Sequence, residues 1–208
     1  MQSLSPTSRY LQALEEGTHQ PDDVQREAVN RLDTIYQELL ANRAQPAQSG
    51  GGLMAKFGKF LGKREAGTST PVRGLYMWGG VGRGKTWLMD MFYHSLPGER
   101  KQRLHFHRFM LRVHEELTQL QGHSDPLEIV AERFKAETDV LCFDEFFVSD
   151  ITDAMLLGGL MKALFSRGIT LVATSNIPPD ELYRNGLQRA RFLPAIDAIK
   201  AHCDIMNV

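Results

Sequence analysis

Apolar and polar residues along this chain follow two periods, and the change from one to the other divides it. Near the N-terminus, Ala28, Val29, Leu32, Ile35, Tyr36, Leu39 and Leu40 recur at helical spacing. They form one apolar stripe on a helix that Asp22 or Asp23 can cap and that runs to about Leu40. A shorter helix, Thr7 to Glu16, precedes it and is stopped by Gly17. From Val72 onward, apolar runs of strand length alternate with helical stretches. The expected strands are Gly74–Trp78, Arg103–Arg108, Asp139–Phe143, Ile169–Thr174 and Cys203–Val208. The helices expected between them run Thr86 to Leu96, Phe109 to Gln121 and Ile151 to Arg167, with a further helix capped by Asp125 and carrying Pro126 at its first position. Short β-rich runs separated by helices predict an α/β fold with a five-stranded parallel sheet covered on both faces.

Three zones follow from this pattern: a helical arm at 1–43, a linker or surface insertion at 44–71, and an α/β core at 72–208. The linker is rich in Gly, Ser, Thr, Ala and Gln. Inside it, Leu53, Phe57, Phe60 and Leu61 can share a helix face opposite Lys56, Lys59 and Lys63, which suits an anionic membrane surface or an acidic partner. Gly58 and Gly62 weaken that helix, so a loop with scattered charges is the competing reading.

Composition narrows the partners. The 208 residues carry 24 Lys+Arg against 25 Asp+Glu, a formal charge of −1, so no basic field calls for nucleic acid. Two cysteines, Cys142 and Cys203, supply no disulfide framework and point to a reducing compartment. The first residues lack the charged and apolar regions of a signal peptide, and no apolar run nears the roughly 18 residues that span a bilayer. A cytoplasmic location is expected.

Chemistry enters at Gly79-Gly80-Val81-Gly82-Arg83-Gly84-Lys85-Thr86, which matches the Walker A pattern G-x-x-x-x-G-K-T. Its glycines let backbone N–H groups turn toward phosphate oxygens, and the following helix adds its positive end. Lys85 is expected to reach the β- and γ-phosphates of ATP, and the Thr86 hydroxyl to ligate Mg²⁺. Farther on, Asp139-Val140-Leu141-Cys142-Phe143-Asp144-Glu145 is an apolar strand with two acids at its carboxyl end, where open α/β sheets bind ligands. This Walker B element assigns Asp144 to Mg²⁺ and Glu145 to the attacking water as general base. The next strand leads to Asn176, which either orients the lytic water or caps the turn before Pro178-Pro179. Arg189 and Arg191 precede the last helix and strand. One of them can act as a finger on a neighbouring subunit's γ-phosphate, against a surface salt-bridge role.

Together these motifs resemble the AAA+ ATPase core. The wording Arg73-Gly74-Leu75-Tyr76-Met77-Trp78, His105-Phe106-His107-Arg108-Phe109-Met110 and Cys142-Phe143-Asp144-Glu145-Phe146 is similar to the AFG-one-like family of bacterial cell-division ATPases (ZapE) and their mitochondrial counterparts. The resemblance covers essentially the whole chain. It implies an ATPase acting at the division site on polymers of the tubulin homologue FtsZ, and a homo-oligomer for the full-length protein. An AAA+ core continues into a helical lid with a second sensor arginine. This sequence stops at Val208, so the lid, on which coupled hydrolysis depends in that pattern, is expected to be absent.

Other residues are weighed against these. His105 and His107 are placed on one face of a strand. With His94, His114, His202 and Cys203 they lack the C-x-x-C or H-E-x-x-H spacing of a metal site, and read as structural or partner contacts. Gln25 is either an adenine-reading glutamine or, in the preferred reading, a helix-surface residue. The aromatic pairs Phe146-Phe147 and Phe106/Phe109 are expected in the core or at a subunit interface. An N-K-x-D guanine motif is missing, and neither the acceptor pocket nor the arginine-rich lid of a small-molecule kinase is recognisable. The competing function is a nucleotide-gated loader or recruitment protein with slow turnover.

Overall fold

Successive side chains of a strand point to opposite faces, and the strands at 74–78, 140–144 and 170–175 are buried on both, as a sheet covered on both sides requires. A computed structural model describes residues 4–44 and 71–208. The amphipathic stretch at 53–64 therefore lies outside the described residues.

The elements, in chain order, are α1 (Pro6–Glu15), α2 (Asp23–Ala44), β1 (Gly74–Trp78), α3 (Lys85–Ser95), β2 (Lys101–His105), α4 (Phe106–Gln119), α5 (Pro126–Glu137), β3 (Val140–Asp144), α6 (Ile151–Ser166), β4 (Thr170–Ser175), a 3-10 turn (Pro179–Glu181), α7 (Arg189–His202) and β5 (Cys203–Asn207). The five strands pair in parallel in the order β2-β3-β4-β1-β5.

Alternation within each strand divides two cores. Leu75, Met77, Val140, Cys142 and Val172 face α1, α2 and α3. Tyr76, Leu141, Phe143, Leu171 and Ala173 face α4, α5, α6 and α7. The α2 stripe of Ala28, Val29, Leu32, Ile35, Tyr36 and Leu39 is buried against the first of these faces. Asp22 caps α2, its carboxylate accepting from the N–H groups of Val24 at 2.9 Å and Gln25 at 3.2 Å.

Most boundaries lie within a residue or two of the sequence expectation, and larger differences fall near the site. The strand read as Arg103–Arg108 ends at His105, and the helix begins at Phe106, not Phe109. His105 turns its Nδ1 to accept from the His107 N–H at 3.4 Å, a side-chain cap that starts α4 there. His105 and His107 therefore do not share a strand face. Arg189 and Arg191 lie within the first turn of α7 and do not precede it. Asp125 does precede α5, but it adopts φ 52° and makes no side-chain cap bond.

Candidate nucleotide site

The strand order brings three chain segments to one sheet edge. β3, β4 and β1 are consecutive neighbours, so the turns after them open side by side at their carboxyl ends. The Walker A loop follows β1, Asp144 and Glu145 close β3, and Asn176 follows β4. A cleft of about 510 Å³ results, lined by residues 81–87, Asp90, Glu145, Thr174, Ser175 and Asn176.

The Walker A loop is anchored at its base by the Gly79 N–H donating to the Ser175 carbonyl at 3.1 Å. Gly84 has φ 84°, the left-handed region that glycine alone adopts without strain. A Cβ there would also meet Gln25 Nε2 at 2.4 Å. Gln25 donates to the Arg83 carbonyl at 3.4 Å, so this half-buried residue of α2 reaches the phosphate loop. Lys85 Nζ donates to the carbonyls of Gly79 at 2.5 Å and Gly80 at 2.8 Å, and lies 3.5 Å from Asn176 Oδ1. Burial, then the nearby Arg83 charge, lowers its pKa from the ordinary 10.5.

Glu145 takes φ 54°, a left-handed backbone held in place from β4. Its N–H donates to Thr174 Oγ1 at 3.2 Å, and the next N–H, of Phe146, donates to the Thr174 carbonyl at 2.7 Å. Such a backbone costs of order 1 kcal/mol or more and persists where the surroundings over-determine it. The carboxylate projects into solvent, with its side chain 75% exposed, and meets His105 Nε2 at 2.7 Å. Since His105 Nδ1 accepts from His107, Nε2 carries the proton and donates to Glu145. Glu145 and Asn176 also line a neighbouring groove of about 870 Å³ with His105, His107, His114 and Phe147. Phe106, Phe109 and Phe146 are core residues, whereas Phe147 is 60% exposed in that groove.

Asp144 is not a free carboxylate. Arg103 Nε donates to one of its oxygens at 2.8 Å and Nη2 to the other at 3.1 Å, while Nη1 binds Asp90. These acceptors hold the Arg103 pKa above its ordinary range, Asp144 contributing most. Arg103 was not legible as a site residue, because its role depends on β2 lying beside β3. No local pattern announces that pairing.

The two late arginines separate. Arg189 donates to the carbonyls of Asp180 at 2.6 Å, Leu182 at 3.1 Å and Tyr183 at 3.1 Å, so its guanidinium is committed to its own chain. Arg191 is exposed and bonds Gln188 Oε1 at 3.2 Å. Among the described residues, no group of three or more His, Cys, Asp or Glu side chains forms a self-sufficient metal cage. The Thr86 hydroxyl and Asp144 carboxylate are instead hard oxygen donors beside a phosphate loop. That set fits Mg²⁺, which is held by one or two carboxylates together with substrate phosphates.

The AFG1-like ATPase family model matches residues 4–208. The chain belongs to that family. It is 82% identical over its whole length to the cell division protein ZapE of Escherichia coli K12, and 45% identical over 157 residues to lactation elevated protein 1 homolog B of Danio rerio. It spans 55% of the former's length, while the match to the latter takes in 70% of this chain and 31% of that protein. The DnaC helicase loader has the same fold, with a TM-score of 0.50, 17% identity and coverage of 92% of this chain and 94% of that one. The α/β fold, a five-stranded parallel sheet between layers of helices, is thereby shared with that loader. Among the described residues, no helix is long and apolar enough to cross a membrane.

Proposed function

We propose that the AFG1-like chain binds ATP with Mg²⁺ in the Walker A cleft, hydrolyses it, and uses the cycle to remodel a protein polymer, FtsZ, at the bacterial division site. The observation that carries the chemistry is that Lys85, Thr86, Glu145 and Asn176, from three separate segments, line one cleft. Lys85 exchanges its two loop carbonyls for β- and γ-phosphate oxygens. Thr86 and Asp144 would hold Mg²⁺, which would supply charge neutralisation at the phosphates. Glu145 takes a proton from water as that oxygen attacks the γ-phosphorus. The bond to the ADP oxygen breaks, giving ADP and phosphate. Asn176, within reach of Lys85, orients the water. Arg191, exposed at the start of α7, is the finger offered to a neighbouring copy in a homo-oligomer, while Arg189 serves its own fold.

The division role rests on the 82% identity to a cell division protein; FtsZ as the polymer is what the family resemblance implies, and a cytoplasmic location is proposed with it. The arm, the linker and the core at 72–208 are proposed as the working units, with the linker touching an anionic surface or acidic partner. The test is steady-state ATP hydrolysis with and without FtsZ polymer, using Glu145→Gln as the blank. Turnover above the blank and raised by polymer is expected. Lys85→Ala should lose nucleotide binding, and Glu145→Gln should keep ATP bound but uncleaved. Tight ATP binding by Lys85→Ala would overturn the site. Turnover unaffected by polymer would move the reading to a nucleotide-gated loader.

A further inference from the structure

The ion triad behind the phosphate loop has a feature that sheet-building does not need. Lys101 to His105 of β2 are already in register with Val140 to Asp144 of β3, so the two strands do not depend on Arg103 for their alignment. Arg103 nevertheless spends three N–H donors on two carboxylates. Asp144 ends β3, and Asp90 lies one helical turn beyond Thr86 on α3. The Arg103 and Asp144 side chains are 18% and 21% exposed, whereas Asp90 is 50% exposed and lines the cleft. The cluster carries a net charge of −1. Without the guanidinium, Asp90, Asp144 and Glu145 would present three negative charges to a triphosphate.

A carboxylate has about four lone-pair sites, and Arg103 uses two of those on Asp144. The remainder can still accept a metal ion or its water. The bidentate geometry fixes the plane of the carboxylate. The positive charge beside it opposes a lone divalent cation.

We propose that Arg103 is the positioning residue of the metal site: it orients Asp144 and, by cancelling one of two carboxylate charges, makes Mg²⁺ bind with the nucleotide and not before it. This rests on the ATP reading above. The two ends of the triad then act in opposite directions. Arg103→Gln leaves two uncompensated carboxylates, so metal-free nucleotide binds more weakly and the metal's contribution grows. Asp90→Asn brings the cluster from −1 to neutral, so metal-free nucleotide binds more tightly and the metal's contribution shrinks. A purely structural role weakens binding in both variants without that opposition of sign.

The experiment titrates fluorescent ATP into the intact chain in EDTA and in Mg²⁺, and takes the ratio of the two Kd values. The ratio should rise by roughly tenfold in Arg103→Gln and fall by a similar factor in Asp90→Asn, as removal of one charge near a divalent ion implies. Mn²⁺ alone, followed by electron paramagnetic resonance, should bind Arg103→Gln and not the unsubstituted chain. Equal ratios in all three proteins, or shifts of the same sign, overturn the proposal. If Arg103→Gln does not fold, Asp90→Asn decides it, since that carboxylate is half exposed. An unsubstituted chain that binds no nucleotide in Mg²⁺ overturns the ATP reading itself, an outcome distinct from an unchanged ratio.

Discussion

His105 does two jobs with one ring. Its Nδ1 caps α4, and its Nε2–H bonds the Glu145 carboxylate. A carboxylate tied to a neighbour by a hydrogen bond is not free to meet water. His105→Ala should therefore raise basal turnover several-fold and leave ATP affinity unchanged. Steady-state kinetics beside a binding titration check this; a fall in kcat would make His105 a support of the base. That the glycine loop with Lys85 and the paired acids would meet at one sheet edge was legible, because each is a local motif at the end of a strand. The His105 cap was not. In Leu104-His105-Phe106-His107, apolar and polar residues alternate like a strand, and only the neighbouring β3 decides where pairing stops. Gln25 shows the same limit, since its contact with Arg83 joins residues 58 positions apart.

Elements are joined here by arginines that serve both a helix end and a strand. Arg100 donates to the Lys135 carbonyl at 2.8 Å and the Ala136 carbonyl at 3.0 Å, satisfying acceptors at the C-terminus of α5. It also forks onto Asp139, just before β3, at 2.9 and 3.0 Å. Burial alone would raise the Asp139 pKa, but Arg100 and Lys135 outweigh it and bring it below the ordinary 3.8. A depressed carboxylate stabilises the fold above its unfolded pKa, and that stability is lost as pH falls through the folded value. Asp139→Asn should cost about 1 kcal/mol at neutral pH, a figure reduced for partial exposure. The gap from the unsubstituted protein should close in acid below pH 3.8, as read by urea denaturation at each pH. The helices and strands themselves were legible from periodicity. The boundary between β2 and α4 moved because the His105 ring caps the helix where pairing with β3 stops.

At the scale of the whole molecule, the arm is part of the sheet's covering. Leu32 is fully buried among Leu75, Met77, Leu88 and Phe92, so one face of the sheet is closed by a helix from the other side of the linker. Leu32→Ala should destabilise the chain by roughly 2–5 kcal/mol. Thermal unfolding should remain one transition, because the arm and core share that packing; two separated transitions would show the arm to be an independent unit. The apolar stripe of α2 was legible as a stripe, but which surface it covers depended on the strand order.

Cys142 and Cys203 are fully buried, and burial pushes both thiols up to about 12. They sit on different strands: β3 has neighbours on both sides, while β5 is an edge. A thiol that is neither ionised nor reachable is inert to alkylation, so each reacts only when its own strand parts from the rest. The chain thus carries two clocks, one at the rim of the sheet and one inside it. The interval between them dates the order in which the sheet comes open.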